Sequence, residues 1–132
     1  MQSFKDTWGL YNWTVDFNKE NDIYPDDLEK FRKLFPTQKI FHCIDCTDQY
    51  IILKYENIDY IDEYYRVKPV NYEQKSKPDF QVKETVKIKK SGINGIIREI
   101  CWHFKNNNYF YLLIIDDKKL SKRYYGVERD SI

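Results

Sequence analysis

The last third of the chain, residues 82–127, constrains the fold more than any other segment. It reads VKETVKIKKSGINGIIREICWHFKNNNYFYLLIIDDKKLSKRYYGV, with apolar runs that alternate with turn signals. These signals are Ser91-Gly92, Asn94-Gly95, Asn106-Asn107-Asn108 and Asp116-Asp117. Glycine and small polar residues at such intervals mark turns, and the runs between them have the length of strands. The segment therefore predicts a small, strongly bent β-barrel, but it indicates no function.

The preceding part of the chain predicts one helix followed by strands. Pro25, Asp26 and Asp27 suit a helix start, and an apolar stripe of helical period runs on to Phe35 before Pro36. Residues 4–23 have no clean period and are interpreted as an irregular or partly helical cap. The predicted strands cover residues 40–45, 50–56 and 63–70, of which the first two form a hairpin, and residues 71–79 read as a polar linker.

A weak internal repeat relates the two halves. YIILKYEN leading to Tyr64-Tyr65 resembles YFYLLIID leading to Tyr124-Tyr125, at similar spacing. Two modules of one barrel type would produce this pattern, and a chance likeness of tyrosine-rich strands is the alternative. We therefore expect a mainly β (α+β) protein: residues 1–70 form the helix and a first barrel, and residues 80–132 form a second. Its strands are predicted at residues 86–89, 96–104, 109–115 and 122–127.

Period-two alternation suggests the faces of the strand at residues 96–104. Ile96, Ile100 and Trp102 should share one face, and Glu99 and His103 should share the other.

Charge is divided unevenly along the chain. Residues 1–80 carry 11 Lys and Arg against 15 Asp and Glu, a net of −4, whereas residues 81–132 carry 11 against 6, a net of +5. Such asymmetry is compatible with a nucleic-acid or acidic partner, or with solvated faces that merely differ. The N-terminus has no basic start followed by an apolar core, and three cysteines do not suit a disulfide framework. These features predict a cytoplasmic protein without a membrane span.

The cysteines raise the question of a metal or redox site. Cys43 and Cys46 form a CxxC that follows His42, and Cys101 and His103 could complete a zinc shell. The CxxC begins inside a strand rather than on a zinc knuckle, and it lacks the helix start that activates a redox thiol. We therefore interpret the cysteines as buried apolar residues, and we predict neither a metal nor any other cofactor.

Catalysis finds little support in the sequence. Only two histidines offer a general base near neutral pH, and no nucleophile elbow, P-loop or dinucleotide-binding glycine pattern occurs. The paired acids at Asp26-Asp27, Asp62-Glu63 and Asp116-Asp117 fall at turns or at a helix start, where aspartate is favoured for local reasons. The sequence predicts a non-catalytic protein.

Two classes of binding function remain. The acidic N-terminal half could bind a basic protein partner by charge complementarity, as an immunity or regulatory protein would, with Trp8, Tyr11 and Trp13 as candidate hot spots. Nucleic-acid binding by the basic C-terminal half is the alternative. Its lysines would contact phosphates, and its aromatic rings would stack on bases. The competing structural interpretation is that the aromatic residues fill the core and the lysines protect strand edges. The C-terminal candidates are Trp102, His103, Lys119, Lys122, Arg123 and Tyr124.

The C-terminal segment resembles small SH3-like barrels of the KOW, Tudor and bacterial SH3 type. The whole chain is also similar to uncharacterised bacterial proteins that share three motifs: WGLYxW at Trp8–Trp13, YPDDLxxF at Tyr24–Phe31, and a closing WH and KKxSKRY. The resemblance implies tandem barrel-like modules and brings no catalytic residues with it. The chain lacks the ALYDY-type strand of proline-rich peptide binders, and no aromatic cage is evident.

Overall fold

The computed structural model describes residues 4–13, 20–34, 39–58, 63–119, 122–125 and, for the backbone alone, 127–129. The chain divides into two compact units. Unit 1 comprises Met1–Tyr55 and Asp62–Lys77, and unit 2 comprises Glu56–Ile61 and Pro78–Ile132. The protein is mainly β, with one antiparallel sheet in each unit and one α-helix, as the sequence predicted.

Unit 1 contains a five-stranded antiparallel sheet with the order β4-β3-β2-β1-β5. Its helical elements are a 3₁₀ turn at Glu20–Asp22, the helix α1 at Pro25–Leu34 and a 3₁₀ turn at Pro69–Asn71. The predicted hairpin is confirmed, since β2 and β3 pair directly. Phe35 and Pro36, at the predicted end of the helix, lie outside the described residues. The strands are β1 (Thr7–Tyr11), β2 (Phe41–Cys46), β3 (Ile51–Tyr55), β4 (Glu63–Val67) and β5 (Tyr72–Lys75).

Two sequence predictions for unit 1 are corrected by the sheet. Thr7–Tyr11, predicted as part of an irregular cap, is a strand between β2 and β5. Its period was hidden because Gly9 has no side chain to mark the inner face. Tyr72–Lys75, inside the predicted linker, is β5 and pairs with β1 over four residues. A polar sequence forms a strand here because β5 is the outer strand of the sheet and exposes much of its length.

The core of unit 1 is aromatic. Phe31 of α1 is fully buried at its centre, and its ring lies 5.5 Å from Tyr11, 5.7 Å from Trp13, 5.9 Å from Phe41 and 5.2 Å from Tyr65. Offset and edge-on ring pairs at these centroid distances add to the free energy gained from burial. Phe31 therefore anchors the helix on the sheet, and Leu28 and Leu34 pack on the same core.

A buried carboxylate ties the start of α1 to β4. Asp27 accepts hydrogen bonds from the backbone N–H of Arg66 at 2.9 Å and from its guanidinium at 2.9 and 3.3 Å. The guanidinium also lies 3.8 Å from the centre of the Tyr24 ring. Burial opposes the charge on Asp27, but the hydrogen bonds and attraction of Arg66 outweigh it and hold the pKa of the carboxyl below its usual value.

We expect Asp27→Asn to lower the free energy of unfolding at pH 7 by about 2 kcal/mol, because charged hydrogen bonds in a buried site are lost. A lowered folded pKa means that the carboxylate stabilises the fold above the unfolded pKa, near 4, and loses this effect as the pH falls through the folded value. The difference between wild type and variant in urea titrations should therefore shrink below about pH 4. Asp26→Asn, one residue earlier and exposed, is the control. A difference that does not change with pH would contradict this account.

Unit 2 also contains a five-stranded antiparallel sheet, with the order β10-β6-β7-β8-β9. β8 and β9 join through a tight turn in which Asp116 and Asp117 have positive φ values of 52° and 62°, as primed hairpin turns require. The predicted strand at residues 122–127 is corrected, because β9 and β10 lie on either side of it; Gly126 lies outside the described residues. The strands are β6 (Thr85–Ile88), β7 (Asn94–His103), β8 (Asn108–Ile115), β9 (Lys118–Lys119) and β10 (Val127–Arg129).

Two further predictions about β7 are wrong. Asn94-Gly95 is not a turn but the start of the strand, where Gly95 is buried beneath Leu113 and Ile115. A β-bulge between Ile97 and Glu99 shifts the register, so that Ile97 lies in the core while Ile96 is exposed. An extra residue reverses the alternation beyond it. Ile96 therefore faces away from Ile100 and Trp102, contrary to the predicted alternation.

The two sheets have the same strand order. In each unit the fifth strand in sequence lies beside the first, followed by the second, third and fourth. β3 and β8, the strands of the weak internal repeat, are each the third strand of their unit in sequence and occupy the same place in that order. In neither sheet are the two outer strands paired with each other among the described residues, so neither sheet is a closed barrel.

Candidate functional site

The segment 122–125 reaches the surface of unit 2 in a defined orientation. Tyr124 lies opposite Tyr111 of β8, and the two backbones exchange hydrogen bonds of 2.9 and 3.0 Å. Alternate residues of extended backbone point to opposite faces, so Arg123 and Tyr125 project to the face opposite Tyr124. Phe110 of β8 projects to that same face, because it precedes Tyr111.

An exposed cluster results, which we call the aromatic patch. The Arg123 guanidinium lies 4.7 Å from the centre of the Phe110 ring, and the Tyr125 ring lies 5.9 Å from both Phe110 and His103. Phe110 is 3% exposed and forms the floor, whereas Tyr125 is 41% exposed. The aromatic patch is made of His103, Phe110, Arg123 and Tyr125.

The exposed charged residues of the chain segments that flank the patch residues in sequence are mainly basic. Lys105, Lys118, Lys119 and Lys122 are exposed, while Asp116 and Asp117 are exposed at the β8–β9 turn. The Lys122 ammonium lies 5.3 Å from the centre of the Tyr124 ring, on the face opposite Arg123. The combination of aromatic rings, an arginine stacked on a ring and a net positive charge suits a binding surface.

Trp102 and Tyr124 do not belong to this surface. Trp102 is buried and packs edge-on against Tyr109 at 4.9 Å, and it serves the interior of unit 2. Tyr124 is partly buried beside Tyr111, and burial raises the pKa of Tyr111 to about 12. Both residues were predicted as binding residues, and the structure assigns both to packing instead.

Two of the three predicted N-terminal hot spots also lie in the interior. Tyr11 and Trp13 are 1% and 2% exposed and belong to the core of unit 1. Tyr11 donates a 2.7 Å hydrogen bond to the carbonyl of Lys68, which satisfies its hydroxyl in the interior. Both side chains are buried in the core of unit 1, so neither is exposed to a partner.

Trp8 lies on the outer face of the unit 1 sheet. Its ring stacks on His42 with centroids 4.1 Å apart and planes within 3°, and His42 in turn bonds Asp6 at 2.9 Å. The Lys77 ammonium lies 5.2 Å from the centre of the Trp8 ring. Intramolecular partners therefore occupy much of this ring, which makes it a poorer candidate anchor than Tyr125.

The residues that could bind a metal do not assemble. Among the residues that the structure describes, no group of three or more His, Cys, Asp or Glu side chains could hold an ion. Cys43 and Cys46 belong to unit 1, whereas Cys101 and His103 belong to unit 2. The Cys101 thiol is buried and donates to the carboxylate of Glu99 at 3.0 Å.

One comparison assigns the chain to a family. Residues 1–128 match the profile described as a family of unknown function, DUF6960. The chain belongs to the DUF6960 family. No curated protein and no solved structure matches the chain. None of the helices in the described ranges combines the length and apolar composition that a membrane crossing requires.

Two residues of the aromatic patch in this DUF6960 member were missed from sequence: Phe110 and Tyr125. Both sit in runs that read as core, and only the register of Tyr124 opposite Tyr111 shows which face they occupy.

Proposed function

We propose that this protein is a non-catalytic protein-binding module, and that the aromatic patch binds an acidic surface of another protein. The observation that carries the proposal is the exposure of Tyr125, which packs with Arg123 on a buried aromatic floor, Phe110. Tyrosine and arginine dominate the energetic centres of protein interfaces. An immunity or regulatory protein would use such a surface.

The geometry of the patch favours tight binding. Arg123 and Tyr125 are fixed by the backbone pairing of Tyr124 and by the Phe110 ring between them. Ordering a side chain before a partner arrives reduces the entropy lost on association. Two preorganised side chains therefore offer contact area at a low entropic cost.

The charge of unit 2 indicates the kind of partner. Residues 81–132 carry a net charge of +5, and their lysines at positions 105, 118, 119 and 122 are exposed. Complementary charge speeds association and fixes orientation more than it adds affinity. An acidic partner with an apolar centre fits this surface better than a basic one.

We expect Tyr125→Ala to weaken partner binding by about 2 kcal/mol, which is roughly 30-fold in Kd. The partner would be captured from the native host, identified by mass spectrometry, purified, and titrated calorimetrically against each variant. Tyr64→Ala is a matched control, because Tyr64 on β4 of unit 1 is 40% exposed and Tyr125 is 41% exposed. Equal affinities of wild type and Tyr125→Ala, or an equal loss in Tyr64→Ala, would overturn the proposal.

Nucleic-acid binding is the second candidate, and the exposed Lys119, Lys122 and Arg123 favour it. Phosphate contacts release counterions, so affinity for a single-stranded oligonucleotide would fall steeply with salt. Replacing these three residues with alanine would flatten that dependence. A protein interface anchored by Tyr125 would depend much less on salt. Recovery of RNA or DNA instead of a protein in the capture experiment would favour this candidate over the first.

We also propose that the two units are copies of one SH3-like barrel module, and that the protein acts in the bacterial cytoplasm. The shared strand order and the short 3₁₀ turn between β4 and β5 support the first statement. The presence of all three cysteines as thiols supports a reducing compartment. An experimental structure that shows the outer strands of each sheet closing on each other would test the barrel assignment.

A further inference from the structure

A β-bulge in β2 brings two cysteines onto one face of the unit 1 sheet. On a regular strand, Cys43 and Cys46 would point to opposite faces, because they are three residues apart. The register shifts between Cys43 and Asp45, so that Cys43 pairs with Leu53 and Cys46 pairs with Ile51. Leu53 and Ile51 are two residues apart and both face the core. The two cysteines therefore occupy neighbouring positions on the inner face.

The separation of these positions is compatible with a disulfide. The two side chains are close enough to interact, because the Cys46 thiol is a side-chain hydrogen-bond partner of the Cys43 thiol. Closing the S–S bond then requires the two Cβ atoms to approach to about 3.8 Å. Both sulfur-bearing side chains pack on the same core, with Cys43 fully buried and Cys46 at its edge. Burial, followed by the neighbouring Cys46 thiol, raises the pKa of Cys43 to about 12. Cys46, which is the more accessible of the two, is therefore the thiol that a reagent meets first.

We propose that Cys43 and Cys46 are a reversible dithiol–disulfide pair that is oxidised by low-molecular-weight disulfides such as glutathione disulfide. The present structure holds the reduced form, in which the Cys43 thiol donates to the carbonyl of Asp45 at 3.5 Å. That hydrogen bond spans the bulge and is lost on oxidation. The proposal does not depend on the aromatic patch, which belongs to the other unit.

The reaction has two exchange steps. The Cys46 thiolate attacks glutathione disulfide, which forms a Cys46–glutathione bond and releases one glutathione thiolate. Cys43 then loses its proton to solvent and attacks the Cys46 sulfur, which forms the Cys43–Cys46 bond and expels the second glutathione thiolate. Two protein thiols are oxidised and one glutathione disulfide is reduced to two glutathiones. The high pKa of Cys43 should make the second step slow at neutral pH and faster as the pH rises.

The test is equilibration of the full chain in glutathione redox buffers, followed by acid quenching, denaturation, alkylation with iodoacetamide and intact mass spectrometry. We expect the reduced protein to take up three labels and the oxidised protein to take up one, at Cys101. Peptide mapping should place the disulfide within residues 43–46. Far-UV circular dichroism of the oxidised form should match that of the reduced form.

Single variants separate the two steps. Cys43→Ala should stop at a glutathione adduct on Cys46, and Cys46→Ser should leave Cys43 unmodified, because Cys43 is buried. Cys101→Ser should oxidise as the wild type does and then take up no label. Accumulation of the wild-type protein as a glutathione adduct would overturn the proposal. The proposal would also be overturned by a disulfide that includes Cys101. It would likewise be overturned if the protein took up three labels in every oxidising buffer.

Discussion

Replacing Phe31 with alanine should lower the free energy of unfolding by about 4 kcal/mol, the largest loss that we expect from a single side chain. The phenyl ring is fully buried and contacts four aromatic rings from the β1 region, β2 and β4. Its removal leaves a cavity between α1 and the sheet that large, rigid rings fill poorly. The loss includes the transfer free energy of the ring and the contacts that its neighbours forfeit.

Urea denaturation followed by circular dichroism and tryptophan fluorescence measures this effect, since Trp13 packs 5.7 Å from Phe31. Phe31→Leu should recover part of the loss because it fills part of the cavity. Phe104→Ala is the matched control, since the same substitution at a half-exposed site should cost less than about 0.5 kcal/mol. Equal effects at positions 31 and 104 would contradict the assignment of Phe31 to the centre of the core.

Gly9→Ala should destabilise unit 1 by about 3 kcal/mol, because the added methyl group has no space. A Cβ at this position would lie 2.9 Å from the Tyr72 ring and closer still to the backbone carbonyl of Glu73. The carbonyl belongs to the paired strand β5, so it cannot rotate away as the end of a side chain would. The Tyr72 hydroxyl is fixed in turn by a 2.8 Å hydrogen bond with Thr7. Relief of the clash therefore requires β1 and β5 to separate.

Gly95→Ala provides the comparison for this prediction. The nearest atoms to a Cβ at Gly95 are the side-chain ends of Leu113 and Ile115 at 3.2 Å, and these can move by the few tenths of an ångström needed. Thermal unfolding should thus show a clear loss for Gly9→Ala and a smaller one for Gly95→Ala. Similar midpoints for the two variants would show that the β1–β5 contact is not tight.

Some elements of the fold could be predicted from the sequence and others could not. The helix α1 was predictable because Pro25 and the adjacent acids mark its start and Phe31 lies in a stripe of helical period. The β2–β3 hairpin was predictable because a polar turn separates two apolar runs. β1 and β5 were not, since Gly9 hides the inner face of one strand and polar residues fill the other, an outer strand. Local patterns identify elements with clear periods and overlook strands that exist only through their pairing.

The candidate site was also predicted only in part, because its composition depends on strand pairing. Arg123 and His103 were predicted as binding residues, and the structure brings both into the aromatic patch, together with the unpredicted Tyr125 and Phe110. Tyr64-Tyr65 and Tyr124-Tyr125 look alike in sequence, yet Tyr65 is buried and Tyr64 exposed, whereas Tyr124 faces inward and Tyr125 outward. No local signal separates the two pairs, because side-chain direction in a strand depends on register.

The sequence by itself determined that this chain is mainly β, that it has one N-terminal helix and that two similar strand patterns occur along it. Composition and hydrophobic period carry this information, since they act through residues that are neighbours in the chain. Only the tertiary structure decided which side chains are buried and which are exposed. The bulges at residues 43–45 and 97–99 show why: each adds one residue to a strand, and one residue reverses every face that follows. One bulge aligns Cys43 with Cys46, and the other separates Ile96 from the face of Ile100 and Trp102.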